Sequence, residues 1–173
     1  IWEGLGVLPE RIFRYTAEQG NFWPAPPVPV GPCGPCSEVH FDFGETPGCK
    51  HCGDGTCHPD IECGRFLEIW NIVFTMLYQD EDGEQTPLPA NNVDTGAGLE
   101  RIAWVLRSVD SVYDTDELRG VIARVEELSD QPYDIDQAPQ VAAAMRAISD
   151  HARALAFLIA DGVLPSNEGR GYV

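Results

Sequence analysis

Positive charge is scarce in this sequence. Its 173 residues carry 11 Lys+Arg against 28 Asp+Glu, a formal net charge of −17. Proteins that bind nucleic acids usually present a basic face, because neutralising phosphates supplies much of their affinity. The sequence therefore predicts no extensive nucleic-acid-binding surface. If the protein binds a nucleic acid, we expect most of the contacts to come from outside this chain.

Long apolar runs are also lacking. No segment approaches the roughly 20 apolar residues that a membrane-spanning helix needs, and no basic-then-apolar leader opens the sequence. We therefore expect no membrane interaction and a cytoplasmic location. The composition suits one globular domain, or one domain and part of a second. Because the chain starts at Ile1 without a methionine and stops at Val173, we expect it to be a piece of a longer protein.

The six cysteines do not have the distribution of a secreted disulfide scaffold. They cluster between residues 33 and 63 and include two Cys-x-x-Cys pairs, which is more typical of metal binding in a reducing compartment. One structural Zn²⁺ is predicted in the Gly/Cys-rich insertion 44–64, with either Cys57 or His58 completing four ligands. The other three ligands are Cys49, Cys52 and Cys63. Free thiols on a variable loop are the alternative.

Strand patterns come first along the chain and helical patterns follow. After a short helix predicted at 9–19, proline excludes regular helix or a central strand up to Cys36. Strands are predicted at 37–43, 66–78, 86–88 and 93–95, with a hairpin turn at Asp82-Gly83. Helices are predicted at 96–107, 115–128 and 141–161. This order predicts an α+β domain over 1–130 and the start of a helical domain over 131–173.

The most informative segment runs from Val93 to Ile102. A strand ends in the carboxylate of Asp94, glycines follow it, and Arg101 lies in the first turn of a helix. A helix start with free N–H groups and an arginine suits a polyphosphate, and Asp94 suits an ammonium group. The alternative is an ordinary strand–turn–helix junction with an arginine in solvent.

This segment resembles motif 3 of the class II aminoacyl-tRNA synthetases, in the version typical of alanyl-tRNA synthetases. Further blocks resemble the same family in the same order along the chain. They are Asn21-Phe22-Trp23, Gly31 to Glu38, Phe66 to Phe74, Tyr113 to Asp116, Asp150 to Arg153, Ala156 to Gly162 and Pro165 to Val173. Pro24 to Val30 departs from the family pattern, where relatives usually have a shorter turn that contains glycine.

The resemblance implies roles for individual residues. Asp94 would hold the α-ammonium of alanine, and Val93 and Gly96 would line a methyl-sized pocket that Trp23 and Asn71 complete. The ATP-binding residues would be Glu68, Gly98 and Arg101, with Arg101 and Asp94 as the catalytic pair and Glu68 contacting Mg²⁺ or nucleotide. In an unbroken strand Glu68 and Asn71 face opposite sides, so either a bulge intervenes or one of them faces away.

The resemblance also implies a fold and a reaction. The fold would be a class II antiparallel sheet with flanking helices, incomplete because motifs 1 and 2 would precede Ile1, followed by the opening of a helical tRNA-recognition domain. The reaction would be ATP-dependent activation of alanine and its transfer to tRNA(Ala), for which the chain alone would be inactive. The alternatives are a zinc-stabilised interaction module without catalysis, and a paralogue that activates alanine for another acceptor.

Overall fold

A computed structural model describes residues 1–24 and 29–172, which form two compact units, Ile1–Ile102 and Ala103–Val173. Most of the Pro24–Val30 segment that departs from the family pattern lies outside the described residues, as does Val173. The two units divide after Ile102, whereas the sequence predicts a domain boundary near residue 130. That boundary stays a prediction. Among the described residues, no helix combines the length and the apolar character needed to cross a membrane.

The first unit is built on one antiparallel sheet of four strands in the order β1-β2-β3-β4. The strands are β1 (Phe22–Trp23), β2 (Gly31–Asp42), β3 (Phe66–Gln79) and β4 (Gln85–Ala97). The predicted hairpin turn between β3 and β4 is confirmed. Gly83 adopts a φ of 81° there, and the Asp80 carboxylate accepts the N–H groups of Asp82 and Glu84. An antiparallel sheet together with helices confirms the predicted α+β class.

The two strand segments predicted at 86–88 and 93–95 belong to one strand, β4. Its pairing with β3 jumps from Thr75 opposite Asn92 to Leu77 opposite Pro87. Pro87 and Pro89 have no N–H to donate to the ladder, which accounts for the irregular stretch between the two paired parts of this strand.

The prediction that proline excludes residues up to Cys36 from a central strand is wrong. Residues 31–36 form the first half of β2, which lies between β1 and β3. The prolines are tolerated because the β2–β3 register is interrupted between Cys33 and Cys36, and because β1 pairs with β2 over two residues. Few ladder hydrogen bonds are therefore lost.

Gly34 allows β2 to approach β3 very closely in this irregular stretch. A Cβ atom at this position would lie 1.9 Å from the carbonyl oxygen of Phe74, well inside van der Waals contact. Its backbone φ is not in the left-handed region, so space and not conformation requires glycine at this point.

A second irregularity in the β2–β3 ladder is a bulge at Ile69. Val39 lies opposite Trp70, but the next residue of β2, His40, lies opposite Glu68, which leaves Ile69 as the extra residue. A bulge reverses the alternation of side chains along the strand that carries it. Glu68 and Asn71 therefore share one face of the sheet, and the first of the two alternatives that the sequence left open is confirmed.

The α-helices are α1 (Lys50–Gly53), α2 (Leu99–Arg107), α3 (Asp116–Ser129) and α4 (Pro139–Ala160). Short 3₁₀ helices lie at Glu3–Leu5, Pro9–Arg11, Ala17–Gln19, Val112–Asp114 and Gly169–Gly171. The three long predicted helices are confirmed to within a few residues.

The short helix predicted over residues 9–19 is wrong, because only its two ends are helical, as 3₁₀ turns. The residues between them contact other parts of the chain instead of forming a helix. Phe13 contacts the ring of Phe66, with centroids 6.2 Å apart, and Tyr15 bonds to His58. Tertiary contacts thus override the helical pattern of the segment.

The core of the second unit lies between α3 and α4. Its buried residues are Thr115, Leu118, Ile122, Ala142, Met145 and Ser149. The two buried hydroxyls are hydrogen-bonded: Ser149 donates to the carbonyl of Leu118 at 3.2 Å, and Thr115 to that of Val112 at 2.6 Å. Tyr113 donates to Asp150 on α4 at 2.8 Å, so a polar contact reinforces the apolar packing.

The close approach at Gly34 yields a first prediction. Gly34→Ala should lower the free energy of unfolding by about 2 kcal/mol, because the added methyl group forces two backbones apart. Urea unfolding followed by circular dichroism measures this change. Gly4→Ala is the matched control, since a Cβ there meets nothing within 4 Å. Equal stability of the two variants would contradict the close contact.

Candidate active site and cysteine cluster

One face of the sheet gathers several of the residues singled out from the sequence. On β3, Asn71 lies opposite Gly96 of β4, and Val73 lies opposite Asp94. Because side chains two residues apart share a face, Asn71, Asp94 and Gly96 point to the same side. A Cβ at Gly96 would meet nothing within 4 Å, so there is open space beside the backbone at Gly96.

Val93 does not join this group. It lies opposite Phe74, one position from the Asp94–Val73 pair, and the register is regular throughout this part of the hairpin. Its side chain therefore points to the other face of the sheet, where it is 61% exposed. The structure does not bring Val93 and Gly96 together on one wall.

Trp23 lies on β1, at the edge of the sheet, opposite Gly34 of β2. Its side chain is 52% exposed, and its peptide bond to Pro24 is cis. The sheet order places β2 between Trp23 and the strand that carries Asn71. Trp23 is therefore exposed and separated from Asn71 by one strand.

Arg101, Glu68 and Gly98 are brought together at the end of the sheet. The Arg101 guanidinium donates to the carbonyl of Glu68 at 2.8 Å and approaches its carboxylate at 3.5 Å. The N–H of Gly98 donates to the carbonyl of Ile69 at 3.2 Å. A Cβ at Gly98 would lie 3.2 Å from Cδ of Arg101, so glycine leaves room for the Arg101 side chain. Side-chain exposures of 50% and 37% mean that this ion pair adds little stability and leaves the guanidinium accessible to an anion.

Two polar residues of β2 that sequence reasoning passed over belong to the same face. Glu38 accepts a hydrogen bond from the Asn71 amide at 3.0 Å, and its other carboxylate oxygen lies 3.0 Å from Nε2 of His40. The buried thiol of Cys36 is nearby: burial raises its pKa, and the carboxylates of Glu38 and Glu68 raise it further. The alternation of the strand over 37–43 was the available signal, since it predicts a polar face with Glu38 and His40.

The four cysteines of the insertion form one cluster. The Sγ atoms of Cys49, Cys52, Cys57 and Cys63 all lie within 4.8 Å of one another, and those of Cys57 and Cys63 are 3.5 Å apart. Four thiolates around one Zn²⁺ with Zn–S bonds of about 2.3 Å have sulfurs roughly 3.8 Å apart. The donor set and its spacing therefore fit a tetrahedral zinc ion.

His58 has a different partner. Its Nδ1 atom lies 3.0 Å from the hydroxyl of Tyr15, and the two rings are 6.2 Å apart. Cys57, not His58, lies with the other three cysteines, so the geometry favours Cys57 as the fourth ligand. Tyr15 in turn connects this insertion to the segment before β1.

The base of the insertion is closed by charged residues. Arg65 forms two hydrogen bonds with Asp42, at 2.7 and 2.9 Å, and Arg11 adds a third at 2.9 Å. The hydrogen bonds from Arg65 lower the pKa of Asp42 to about 2. The backbone N–H of Arg65 also lowers the pKa of Cys63 to about 7, whereas burial raises the pKa of Cys57 to about 12.

Comparison with known proteins gives consistent matches over the whole chain. The family model described as tRNA synthetases class II (A) matches residues 1–173. Three similar curated proteins are each named Alanine--tRNA ligase. The protein from Thermotoga maritima is 49% identical over 173 residues, that from Thermoanaerobacter sp. 47% over 174, and that from Desulforudis audaxviator 49% over 172. The alignments cover 99–100% of this chain but 18–20% of those proteins, so the chain spans about a fifth of their length.

The closure at Asp42 predicts a pH-dependent stability. A carboxyl group whose pKa falls on folding stabilises the protein above its unfolded pKa, and this stabilisation is lost as the pH falls through about 4 to about 2. Asp42→Asn should therefore cost about 1–2 kcal/mol at neutral pH and progressively less in acid. Urea unfolding across this range measures the difference.

The control for this prediction is Asp82→Asn, a substitution at an exposed position of the β3–β4 turn. It removes the same charge from a carboxylate that does not take part in the Arg65–Asp42–Arg11 contacts. A destabilisation by Asp42→Asn that is the same at all pH values would argue against the ion pair as its cause.

Proposed function

The chain belongs to the class II (A) tRNA synthetase family, and we propose that it forms part of the active site of an alanine–tRNA ligase. In this proposal it supplies motif 3 and the alanine pocket for ATP-dependent activation of alanine and transfer to tRNA(Ala). The observation that carries the proposal is the shared face of Asn71, Asp94 and Gly96, beside the Glu68–Arg101 pair. Identity of 47–49% to proteins named Alanine--tRNA ligase supports alanine as the amino-acid substrate.

Alanine would bind beside Gly96. The carboxylate of Asp94 would attract its α-ammonium, and the open space at Gly96 would accommodate the small substrate. Val93 faces away from Asn71 in this register, so we assign the pocket to Asn71, Asp94 and Gly96, with Trp23 as a further residue at its edge.

Activation requires the alanine carboxylate to attack the α-phosphorus of ATP, which forms alanyl-adenylate and releases pyrophosphate. In this step the residues position reactants and neutralise charge, so no covalent nucleophile is needed. Arg101 would exchange its contact with Glu68 for the phosphates of ATP. The carboxylate of Glu68, a hard oxygen ligand that is 37% exposed, suits Mg²⁺, which would supply further neutralisation of the phosphates.

The nucleic-acid partner would be held mainly by other parts of the protein. With a formal charge of −17, this chain lacks the basic surface that phosphate contacts require. We propose that residues 131–173, which include the whole of α4, begin the helical tRNA-recognition domain. The terminal ribose hydroxyl of the tRNA would then attack the activated carbonyl at the site built on the sheet.

The cysteine cluster would hold a structural Zn²⁺. Four sulfur ligands close a tetrahedral coordination sphere and leave no position for water or substrate. The metal would order the insertion between β2 and β3. Its connection to catalysis would be indirect, since β3 starts at Phe66 and carries Glu68 and Asn71.

The assignment of substrates predicts separate effects of two substitutions in the full-length enzyme. Asp94→Ala should lower kcat/KM for alanine roughly 30-fold or more, because it removes the counter-charge of the ammonium. Arg101→Ala should mainly impair the use of ATP, and Arg101→Lys should restore it partly, because an ammonium cannot reproduce the planar fork. Alanine-dependent pyrophosphate exchange measures both.

Asp110→Ala and Arg124→Ala are the matched controls and should behave as the parent enzyme does. Normal kinetics for alanine in Asp94→Ala would remove Asp94 from the pocket. An enzyme that exchanges pyrophosphate but does not charge tRNA would indicate an alanine-activating paralogue. Absence of alanine and ATP binding altogether would favour the interaction module.

For the cluster we predict one Zn²⁺ per chain in protein purified without a histidine tag. Cys63→Ser should reduce the metal content strongly and His58→Ala should leave it unchanged, because the four sulfurs make the set without the imidazole. Elemental analysis under reducing conditions measures both. Less than about 0.2 zinc per chain in the parent protein, or full occupancy in Cys63→Ser, would refute the site.

A further inference from the structure

We propose that Glu38 is a positioning residue that turns the side-chain amide of Asn71, so that Asn71 presents its carbonyl oxygen to the ammonium group of the substrate. This inference rests on the proposed function, since it concerns the same alanine site. It assigns a role to a residue of β2, which lies outside motif 3 in the sequence.

The orientation of Asn71 follows from the chemistry of its partner. A primary amide has one end that donates hydrogen bonds and one that accepts them, and it can be turned by half a rotation at little cost. An ionised carboxylate can only accept. Because Oε1 of Glu38 lies 3.0 Å from the Asn71 amide nitrogen, the donating end must face Glu38 and the carbonyl oxygen Oδ1 must face away from it.

Glu38 is itself held from a second side. Its Oε2 atom lies 3.0 Å from Nε2 of His40, and only a ring nitrogen that carries a hydrogen can bond to a carboxylate. His40 therefore donates from Nε2 whatever its overall charge. With one oxygen bonded to His40 and the other to Asn71, the Glu38 carboxylate has a defined rotamer.

Oδ1 of Asn71 is an acceptor in need of a donor. The atom is buried, and within the part of the chain that the structure describes no hydrogen-bond partner reaches it. An acceptor buried in this way costs free energy unless a donor arrives. The Asn71–Gly96 pair and the adjacent Val73–Asp94 pair put this amide and the Asp94 carboxylate on one face. An α-ammonium has three donors and can bond to both.

A purely structural role would give a different result. Glu38 and Asn71 are a cross-strand pair of β2 and β3, and such a pair can stabilise a sheet by roughly 0.2–1 kcal/mol without any function. Loss of that contact would loosen the site as a whole and affect both substrates. Loss of amide orientation affects the ammonium site alone.

The test uses pyrophosphate exchange by the full-length enzyme. In Glu38→Gln the new amide can donate to Oδ1, so the Asn71 amide is free to turn its NH₂ toward the substrate ammonium. We expect the KM for alanine to rise about tenfold or more and the KM for ATP to stay within about twofold. Glu81→Gln, an exposed substitution in the β3–β4 turn, removes the same charge and should leave both constants at the parent values.

A swapped pair restores the orientation in a different way. In Glu38→Gln/Asn71→Asp the carboxylate at position 71 can only accept, so one of its oxygens can bond to the new amide at position 38 while the other faces the ammonium. The double variant should return the KM for alanine to within about threefold of the parent. Asn71→Asp alone, with two carboxylates facing each other, should bind alanine poorly.

Three results would overturn the positioning role. They are a parent-like KM for alanine in Glu38→Gln, no recovery in the swapped pair, and a parallel rise of both KM values with a lower unfolding temperature. Asp94→Ala separates this outcome from failure of the proposed function. If Asp94→Ala impairs alanine activation and Glu38→Gln does not, Glu38 is not a positioning residue. If neither has an effect, the alanine site itself is misassigned.

Discussion

A single extra residue in β3 determines which side chains can act together in this chain. Strand alternation would put Glu68 and Asn71 on opposite faces of the sheet, and the bulge at Ile69 puts them on the same face. The Ile69 carbonyl also accepts the N–H of Gly98, which positions the start of α2. The contact between Arg101 and Glu68 thus depends on the same bulge that puts Glu68 on one face with Asn71.

Opposite charges lie close together at the end of the β3–β4 pair that faces away from the hairpin turn. Glu38 contacts the Asn71 amide and Asp94 shares its face, and the guanidinium of Arg101 contacts Glu68, three residues before Asn71 on β3. In the proposed function, an ammonium and a polyphosphate would bind at neighbouring positions of complementary charge.

Much of this arrangement could be predicted from the sequence. Motif spacing indicated Asp94 and Arg101, and apolar periodicity indicated α2, α3 and α4. Cysteine spacing indicated the cluster. Side-chain direction could not be predicted in the same way, because it depends on register. Val93 and Gly96 are close along the chain but face opposite sides, and Gly31 to Cys36 forms strand in spite of its prolines because its ladder is already interrupted. The partners of Asn71 and the choice between Cys57 and His58 depend on contacts made only after the chain folds.

The closure at Asp42 and Arg65 brings the two ends of the cysteine insertion together. Phe43 donates its N–H to the carbonyl of Arg65 at 2.8 Å, so the chain leaves the sheet and returns to it at almost the same place. The entropy of closing such a loop grows slowly with its length, and the register of β2 and β3 is set by their own pairing. An evolving gene can therefore lengthen, shorten or replace this insertion and its cysteine cluster, while the face of the sheet that carries Asn71 and Asp94 is left intact.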